Sequence, residues 1–361
     1  TGTWDRKLLD SMTSMERSRQ NCIYELINSE ETYVSDMSLT LEVFYNPIAS
    51  SNLLTESELN TIFVNWRELI FCSTKLLKAF LVRRKMNNEG QIYIIGDVLC
   101  EMLPRLTPYI RFCSCQLKAC KLLQNKIENM PEFKALEKKC CQDPRARGLP
   151  LSSYLLKPLQ RVTKYPLLTR KILENTPEND SDRGDLEIAL EKAEDLCRQV
   201  NEGVRSQEDT DRLEFMQTHI NTEGLDERLT FNSQTNCLGQ RKFVYEGTLF
   251  KHKSGKELQA FLCNDFLLLT RENSSLAKKI GKDSEKQYVL YQPPIRLNEI
   301  TVKLPPDQNS EETLFQVSHI DRVYLLRAET KNERITWVRK LTKASQQYID
   351  TEVLQRQKAH R

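Results

Sequence analysis

The sequence of 361 residues has no long hydrophobic run and no excess of charge of either sign. No apolar stretch approaches the length of about 20 residues that a helix needs to cross a bilayer, which excludes a span of that kind. Lysine and arginine number 53, aspartate and glutamate 50, and the net charge is +3. This balance excludes binding of nucleic acid through bulk positive charge, although a local basic face is compatible with it.

The 11 cysteines lack the spacing of a metal site or of a disulfide framework. Cys113 and Cys115 are separated by one residue, and Cys140 and Cys141 are adjacent, whereas zinc sites use paired Cys-x-x-Cys blocks. We therefore predict reduced thiols that pack as small apolar side chains, no bound metal and a cytosolic setting.

A catalytic set is also missing. The four histidines are scattered, and the sequence suggests no histidine partner for any serine or cysteine. No carboxylate pair stands out, and the helical part has no glycine-rich phosphate loop. These absences exclude covalent catalysis as the first hypothesis and predict that no cofactor is bound. The rival hypothesis is a hydrolase or nuclease. Activity that is lost on metal chelation would support it.

The spacing of apolar residues changes along the chain. Apolar residues recur every three or four positions through the first two hundred residues and alternate in the last hundred. With a length too great for one ordinary core, this predicts an elongated all-α bundle followed by a strand-rich domain. The start lacks a secretory signal and an initiator methionine, so we expect a piece of a longer protein. The expected segments are an N-terminal extension (1–17), a helical domain (18–206), a helical and polar linker (207–239), a strand-rich domain (240–349) and a C-terminal tail (350–361).

Helices are predicted from apolar spacing, with prolines at their limits. The first has its apolar seam over 23–44 and is expected to end at Pro47. Pro104 and Pro108 are expected to interrupt a later helix. The other predicted helices of the bundle span 56–80, 92–120, 121–140 and a final seam over 186–204.

The stretch LLKPLQRVTKYPLL also has helical spacing, although it contains Pro158 and Pro166. Two prolines about two turns apart are expected to bend one helix on related faces. Lys157, Arg161 and Lys164 recur in the same stretch at helical spacing. We call these three residues the basic stripe. It fits either a solvated helix face or, because the helix is bent, a shaped docking surface.

The alternating region predicts about seven short strands. A capping box at Thr330 and Glu333 predicts the start of a final helix, with Trp337 on the margin of its buried face. A seven-stranded barrel closed by this helix is the most economical fold, because the helix covers an otherwise open end. The helix is expected to bury Ile335, Val338 and Leu341.

Glu30 is the most informative single residue. The apolar seam of the first helix passes through it, between Ile27 and Val34. An unpaired buried carboxylate is strongly unfavourable, so Glu30 must be paired internally, solvated at a groove or reserved for a partner. The sequence leaves these alternatives open. Asn201, which flanks the seam of the last bundle helix, indicates little by itself.

Several segments carry a family resemblance. LPLSSYLLKPLQRVTKYPLL, with the following helix that ends in VNEG, resembles the third conserved region of the Dbl-homology domain, and ELINSEETYVSDM resembles the first. The strand-rich part, with Trp337 in its closing helix, resembles the pleckstrin-homology domain; together the resemblances cover about residues 18–349. FVNWRELIFCSTKLLKA, PYIRFCS, ILENTPEN, NDFLLLT and SHIDRVY are similar to the intersectin subfamily, with a preference for its second paralogue.

The resemblance implies a guanine nucleotide exchange factor that acts, without covalent chemistry, on a Rho-family GTPase of the cell-division-control type. It implies that Glu30 engages switch I of the GTPase and that Lys164 and Asn201 engage switch II. Close relatives can carry arginine in place of Lys164, which keeps the charge but changes how hydrogen bonds are shared. The positions implied to choose among GTPases are Leu156, Leu159 and Gln160.

The resemblance also implies a location and a second partner. We expect a monomeric fragment in the cytoplasm, peripheral at the plasma membrane and endocytic sites, that binds no nucleic acid. The candidate phosphoinositide contacts are Lys251, Lys253 and Lys256, but the next strand, ELQAFLC, supplies no base, so weak binding to anionic lipid is expected. The rival is a non-catalytic membrane-adaptor module whose helical part is only a scaffold.

Overall fold

The computed structural model falls into two compact units, Thr1–Gln207 and Glu208–Arg361. The first is helical and the second contains the sheet, as the change of period predicts. No helix in the described part of the chain is long and apolar enough to cross a membrane. The structure describes residues 12–86, 90–223, 225, 229–273, 287–304 and 312–359.

The helical unit surrounds one core of large aromatic and aliphatic side chains, among them Trp66, Tyr109 and Phe112. Two 3₁₀ turns, Leu103–Leu106 and Pro144–Ala146, connect its helices. The α-helices, numbered in chain order, are α1 (Ser14–Thr40), α2 (Asn46–Ser50), α3 (Glu56–Phe63), α4 (Trp66–Lys85), α5 (Gly96–Met102), α6 (Pro108–Asn129), α7 (Pro131–Cys141), α8 (Leu151–Leu155), α9 (Lys157–Glu174) and α10 (Arg183–His219).

Pro47 does not end the first helix, contrary to the prediction. The backbone continues from α1 through a π-helical turn, Leu41–Tyr45, into α2. The Asn46 amide donates to the Leu41 carbonyl across this wider turn. Pro47 therefore lies in the first turn of α2, directly after the π-helical turn that carries the helix past it.

The helix predicted over 56–80 is two helices. Val64, with φ of 50°, ends α3 in a conformation that β-branched residues rarely adopt. Trp66 begins α4, is buried, and donates its indole N–H to the Met37 carbonyl of α1 (2.9 Å). The apolar period continues across the break, so spacing alone did not reveal it.

The helix limits near Lys121 were also predicted wrongly. α6 runs through Lys121 and ends at Asn129, and Pro131 begins α7. The expected interruptions do occur, because Pro104 lies in a 3₁₀ turn and Pro108 starts α6.

The prolines near the basic stripe differ from each other. α9 begins at Lys157, so Pro158 lies in its first turn and only Pro166 is inside the helix. The prediction of two internal prolines was therefore wrong. Pro166 lacks the amide that would donate to the Val162 carbonyl. The thiol of Cys197 in α10 donates to that carbonyl instead (Sγ–O 3.3 Å).

The second unit is built on a nine-stranded sheet in the described residues. A 3₁₀ turn, Leu297–Glu299, lies between two of its strands. The strands are β1 (Ile220–Asn221), β2 (Phe243–Lys251), β3 (Glu257–Cys263), β4 (Phe266–Glu272), β5 (Tyr288–Leu290), β6 (Ile295–Arg296), β7 (Ile300–Lys303), β8 (Leu314–His319) and β9 (Val323–Ala328).

The strand order is β1-β5-β4-β3-β2-β9-β8-β7, and β6 pairs with β4. Most pairs are antiparallel, with β1 and β5 parallel. Among the described residues no ladder joins β1 to β7, so the sheet does not close into the predicted barrel. The short β1 was not predicted, because two residues after a long helix carry no alternating signal.

The final helix, α11 (Lys331–Ala359), packs on this sheet with a different face from the one predicted. Trp337 is 1% exposed, whereas Ile335 is 50% exposed. Leu341 is buried, as expected, whereas Val338 is only half-buried. One half of the predicted capping box is present, because the Thr330 hydroxyl accepts from the Glu333 amide (3.2 Å), while the Glu333 carboxylate accepts from the Glu329 amide (3.2 Å).

Candidate functional site

Glu30 of α1 lies opposite α9 and is completely enclosed, with 0% exposure. Its Oε2 accepts from Arg161 Nε (2.8 Å) and from the Tyr165 hydroxyl (2.9 Å), and it forms an ion pair with Arg161 Nη2 (2.6 Å). Of the alternatives that the sequence left open, the structure therefore shows internal pairing. Arg161 also donates to the Ser29 hydroxyl (2.9 Å), so its guanidinium joins α9 to α1 at two points.

The electrostatics of Glu30 are set by opposing effects. Burial raises the pKa of its carboxyl group, while Arg161 and the Tyr165 hydrogen bond lower it; burial is the larger effect. The Ser73 hydroxyl of α4 also lowers this pKa. The second oxygen, Oε1, is buried and has no hydrogen-bond partner of acceptable geometry in the described part of the chain.

A chain of hydroxyl groups continues from Ser73 through the core. The hydroxyls of Ser73 and Tyr109 are 2.7 Å apart, and Tyr109 donates to the Tyr33 hydroxyl (2.8 Å). Burial raises the pKa of both tyrosines, so they stay neutral. The polar cluster thus draws side chains from α1, α4, α6 and α9.

The basic stripe is not a solvated face, because two of its three charges pair with carboxylates of α1. Arg161 pairs with Glu30, and Lys157 pairs with Asp36 (Nζ–Oδ2 2.9 Å). Only Lys164 is exposed, and the structure shows no ion pair for it among the described residues. Helical spacing identified the shared face correctly but not the carboxylates that it packs against.

Asp36 is a site residue that sequence reasoning missed. It is buried, and besides Lys157 it pairs with Arg147 (Nη2–Oδ1 2.6 Å). Arg147 lies in the loop before α8, with φ of 53°. Asp36 therefore fixes the segment that leads into α8 and α9. Its signal in the sequence was weak, because the apolar seam passes through its neighbour Met37.

A groove follows the line between α1 and α9. One hollow of about 290 Å³ is lined by Tyr33, Asp36 and Gln160, and a second of about 380 Å³ by Leu167. Ser29 and Lys164 line both hollows. Lys164 therefore projects at the middle of the groove.

The other predicted positions lie at the surface near this groove. Leu156 is 43% exposed at the junction of α8 and α9, and Gln160 is exposed. Leu159 is half-buried and packs against the core. Asn201 is exposed on α10, one turn after Cys197, whose thiol contacts α9. The structure thus places all these positions on or beside α9, although it holds no partner.

A second set of bases lies in the sheet unit, around Tyr291. Lys251, at the end of β2, donates to the Tyr291 hydroxyl (2.5 Å) and lies over its ring. This hydrogen bond lowers the pKa of Tyr291, with Arg322 and Arg271 acting in the same direction. The Arg271 guanidinium is 5.9 Å from the ring centroid. Sequence reasoning missed both arginines, because they come from β4 and from the turn between β8 and β9.

The remaining predicted lysines, Lys253 and Lys256, are exposed in the turn between β2 and β3. Gly255 in this turn has φ of 62°, the left-handed region that favours glycine. The Lys251 amide donates to the Lys256 carbonyl (2.9 Å) and closes the turn. Lys251 is thus anchored, whereas the other two lysines extend into solvent.

The two parts of the chain match two known domain families. A model of the RhoGEF domain matches residues 22–201, and a model of the pleckstrin homology domain matches residues 220–361. The chain therefore belongs to the Rho guanine nucleotide exchange factors that carry these two domains in tandem.

Two curated relatives make the similarity more specific. The chain is 54% identical to mouse intersectin-1 and 52% identical to mouse intersectin-2, in each case over 99% of its own length. It spans only 21% and 22% of those proteins. The two identities are too similar to support the preferred second paralogue.

The fold also matches that of a DH/PH fragment in a solved complex. The crystal structure of human RhoA with the DH/PH fragment of PDZRHOGEF matches with a TM-score of 0.81 and 23% identity. The match covers 96% of this chain and 98% of the other. At this identity the likeness shows the fold.

Proposed function

We propose that this chain accelerates release of GDP from a Rho-family GTPase. The observation that carries the proposal is the groove between α1 and α9, which exposed Lys164 lines together with Arg161, the residue that pairs with the enclosed Glu30 carboxylate. The membership of the chain in the RhoGEF family supports it, as does the RhoA-bound structure of similar fold.

The mechanism is a linkage between two binding equilibria. A GTPase holds its nucleotide through its phosphate loop, Mg²⁺ and ordered switch segments. A protein that binds preferentially to the form with displaced switches weakens nucleotide binding by the same factor. In this scheme Glu30 engages switch I, while Lys164 and Asn201 restrain switch II. No covalent bond forms, and the chain leaves unchanged.

The preferred GTPase is proposed to be of the cell-division-control type. Leu156, Leu159 and Gln160 lie on or next to the exposed side of α9, where side-chain volume changes the fit to one GTPase but not to another. The similarity to intersectins supports this choice and a peripheral location at the plasma membrane and endocytic sites.

The test is GDP release from purified Rho, Rac and cell-division-control GTPases, each loaded with a fluorescent GDP analogue. We expect acceleration, greatest for the cell-division-control type. A chain that binds these GTPases without accelerating release would support the membrane-adaptor alternative instead. If the chain accelerates GDP release from Rho or Rac alone, the exchange function stands and the proposed preference for the cell-division-control type is overturned.

A second function, contact with anionic lipid, is favoured by the bases around Tyr291. Lys251 and Arg271 are held at the tyrosine, and Lys253 and Lys256 extend from the adjacent turn. Flexible bases near an anionic membrane contribute about 1 kcal/mol each without selecting one headgroup. We therefore propose weak, salt-sensitive binding.

Sedimentation with vesicles that contain phosphatidylserine or one phosphoinositide, at low and high salt, tests this second function. We expect similar binding to both and loss at high salt. Arg271→Ala is expected to weaken binding about as much as Lys253→Ala, roughly fivefold for one charge. Tight binding to one phosphoinositide that survives high salt would overturn the proposal of weak, unselective contact.

A further inference from the structure

The two oxygens of the Glu30 carboxylate are used unequally. Oε2 accepts from both Arg161 and Tyr165, whereas Oε1 is buried and makes no hydrogen bond of acceptable geometry in the described part of the chain, although the Ser73 hydroxyl lies near enough to lower the pKa of this carboxyl group. Leaving a buried acceptor without a hydrogen bond is unfavourable, and a purely structural ion pair gains nothing from it. The unused oxygen therefore points to a donor that arrives from outside.

Arg161 is held in place independently of Glu30. Its Nη1 donates to the Ser29 hydroxyl (2.9 Å) and its Nη2 to the Leu26 carbonyl (3.3 Å). The planar guanidinium thus spans more than one turn of α1 while binding the carboxylate. A lysine ammonium at this position could not contact all three acceptors in one plane.

We propose that Arg161 and Tyr165 are positioning residues for nucleotide exchange, which hold the Glu30 carboxylate through Oε2 and leave Oε1 for a hydrogen-bond donor of switch I. The inference rests on the proposed exchange function. Docking of the GTPase must displace the side chains that cover the carboxylate. Oε1 then meets the donor while Oε2 stays bound to α9.

Arg161 is the only cation among the described side chains that interact with Glu30. The others are neutral, because burial raises the pKa of the Cys72 thiol to about 12 and raises the pKa values of the three tyrosines well above the usual range. The groups that face Glu30 are Tyr33 on α1, Cys72 and Ser73 on α4, Tyr109 on α6, and Arg161 and Tyr165 on α9.

Removal of Arg161 has opposite consequences for activity and stability. Arg161 lowers the pKa of Glu30, so Arg161→Gln leaves burial to raise it further. Exchange by this variant is then lost as the pH falls through the raised pKa of Glu30 and recovers as the pH rises. A raised pKa in the folded state stabilises the fold at low pH, and that stability is lost as the pH rises through it. If Arg161 had only a structural role, the exchange activity of Arg161→Gln would change with pH in the same direction as its stability.

The experiment measures GDP release and thermal melting of wild type, Arg161→Gln and Tyr165→Phe between about pH 6 and pH 9. Release is expressed relative to the GTPase alone at each pH. We expect the profile of Arg161→Gln to lie at higher pH than the wild-type profile, with a rise of about tenfold per pH unit while Glu30 titrates. Tyr165→Phe keeps every charge and should shift the profile in the same direction by less.

Arg19→Gln is the matched control, because Arg19 is equally buried in the same unit and pairs with Asp182 (2.7 Å) away from Glu30. It should lower the melting temperature without creating a pH slope in exchange. Adding Glu30→Gln to Arg161→Gln should abolish the slope.

The outcomes separate the two proposals. If wild type accelerates no Rho-family GTPase, the proposed function fails and this inference fails with it. If wild type is active but Arg161→Gln shows a flat profile, or loses activity in step with stability, only the inference is overturned. If Arg161→Gln does not fold, an unshifted profile for Tyr165→Phe overturns it.

Discussion

Two buried arginine–carboxylate pairs in the helical unit invite comparison. Asp182 accepts from Arg19 (2.7 Å) and from the amides of Ile95 and Gly96, so both of its oxygens are used. Glu30 accepts through one oxygen only. The two pairs have nearly the same burial but a different degree of hydrogen-bond satisfaction.

We propose that the difference separates a structural joint from a residue that binds a partner. The Asp182 pair ties the start of α5 to α1, because a carboxylate at a helix N-terminus satisfies amides that have no helical partner. Glu30 has no hydrogen bond of acceptable geometry to its second oxygen in the described part of the chain, and its partner Arg161 lines a surface groove. Hydrogen-bond satisfaction, rather than burial, distinguishes the two.

The largest expected effect is on stability at the structural joint. Asp182→Ala leaves the Arg19 guanidinium buried without its carboxylate, which should cost about 3–5 kcal/mol of unfolding free energy. Exchange per folded molecule should be unchanged. Denaturant unfolding and GDP release at a temperature where the variant is folded check this. A loss of exchange in the folded protein would show that the joint also shapes the groove.

The next effect is on activity at Glu30. Glu30→Gln keeps the shape and an acceptor for Arg161 but removes the charge, so exchange should fall by about 10- to 150-fold, the equivalent of one charge-assisted hydrogen bond. Stability should change less than in Asp182→Ala. Normal exchange by Glu30→Gln would make Glu30 a structural residue like Asp182. Glu30→Ala is less informative, because it leaves the buried Arg161 guanidinium without its carboxylate partner.

Lys164→Ala should weaken binding of nucleotide-free GTPase and slow exchange together. The loss of a charge-assisted contact is worth about 1.5–3 kcal/mol, and Asn201→Ala should cost about 0.5–1.5 kcal/mol because the amide is neutral. Both side chains are exposed, so melting should not change. Titration of nucleotide-free GTPase measures the affinity, and unchanged affinity in both variants would remove these residues from the site.

The smallest effects concern choice among GTPases. Changes at Leu156 or Gln160 should alter the ratio of exchange rates between two GTPases by about 1–3 kcal/mol with little effect on melting. Leu159 packs at the edge of the core, so Leu159→Ala should lower stability as well. Parallel release assays on three GTPases measure the ratios. A uniform loss across all three would indicate a packing defect.

Sequence patterns predicted the site in part. The apolar register of Glu30 correctly indicated an unusual carboxylate, and the spacing of the basic stripe correctly put its members on one face. Which carboxylates that face meets depends on how α9 packs on α1, and no local pattern carries this information. Arg161 was therefore expected on a solvated or docking surface, although it is buried.

The fold shows the same limit. The presence of helices in the first part and strands in the second was predictable, because an apolar period of 3.6 residues for helices and 2 residues for strands is a local property of the sequence. Trp337 and Ile335 exchanged their expected roles, since positions two residues apart on a helix fall on different sides and either can begin an apolar face. Val64 ends a helix without any proline or glycine, and its φ of 50° is not one that a β-branched residue prefers, so its identity gave no signal of the break.

The hydrogen bond from the Cys197 thiol of α10 to the Val162 carbonyl, which Pro166 leaves without a helical donor, has a consequence for how this surface can evolve. The proline frees the Val162 carbonyl, and the Cys197 thiol occupies it, so one bond within a helix has been exchanged for one between two helices. The two positions are therefore not independent. Alanine at 166 would supply an amide that competes with the thiol, and alanine at 197 would leave the carbonyl without a donor. Lineages that change one position are expected to change the other, with serine at 197 the substitution that preserves a donor.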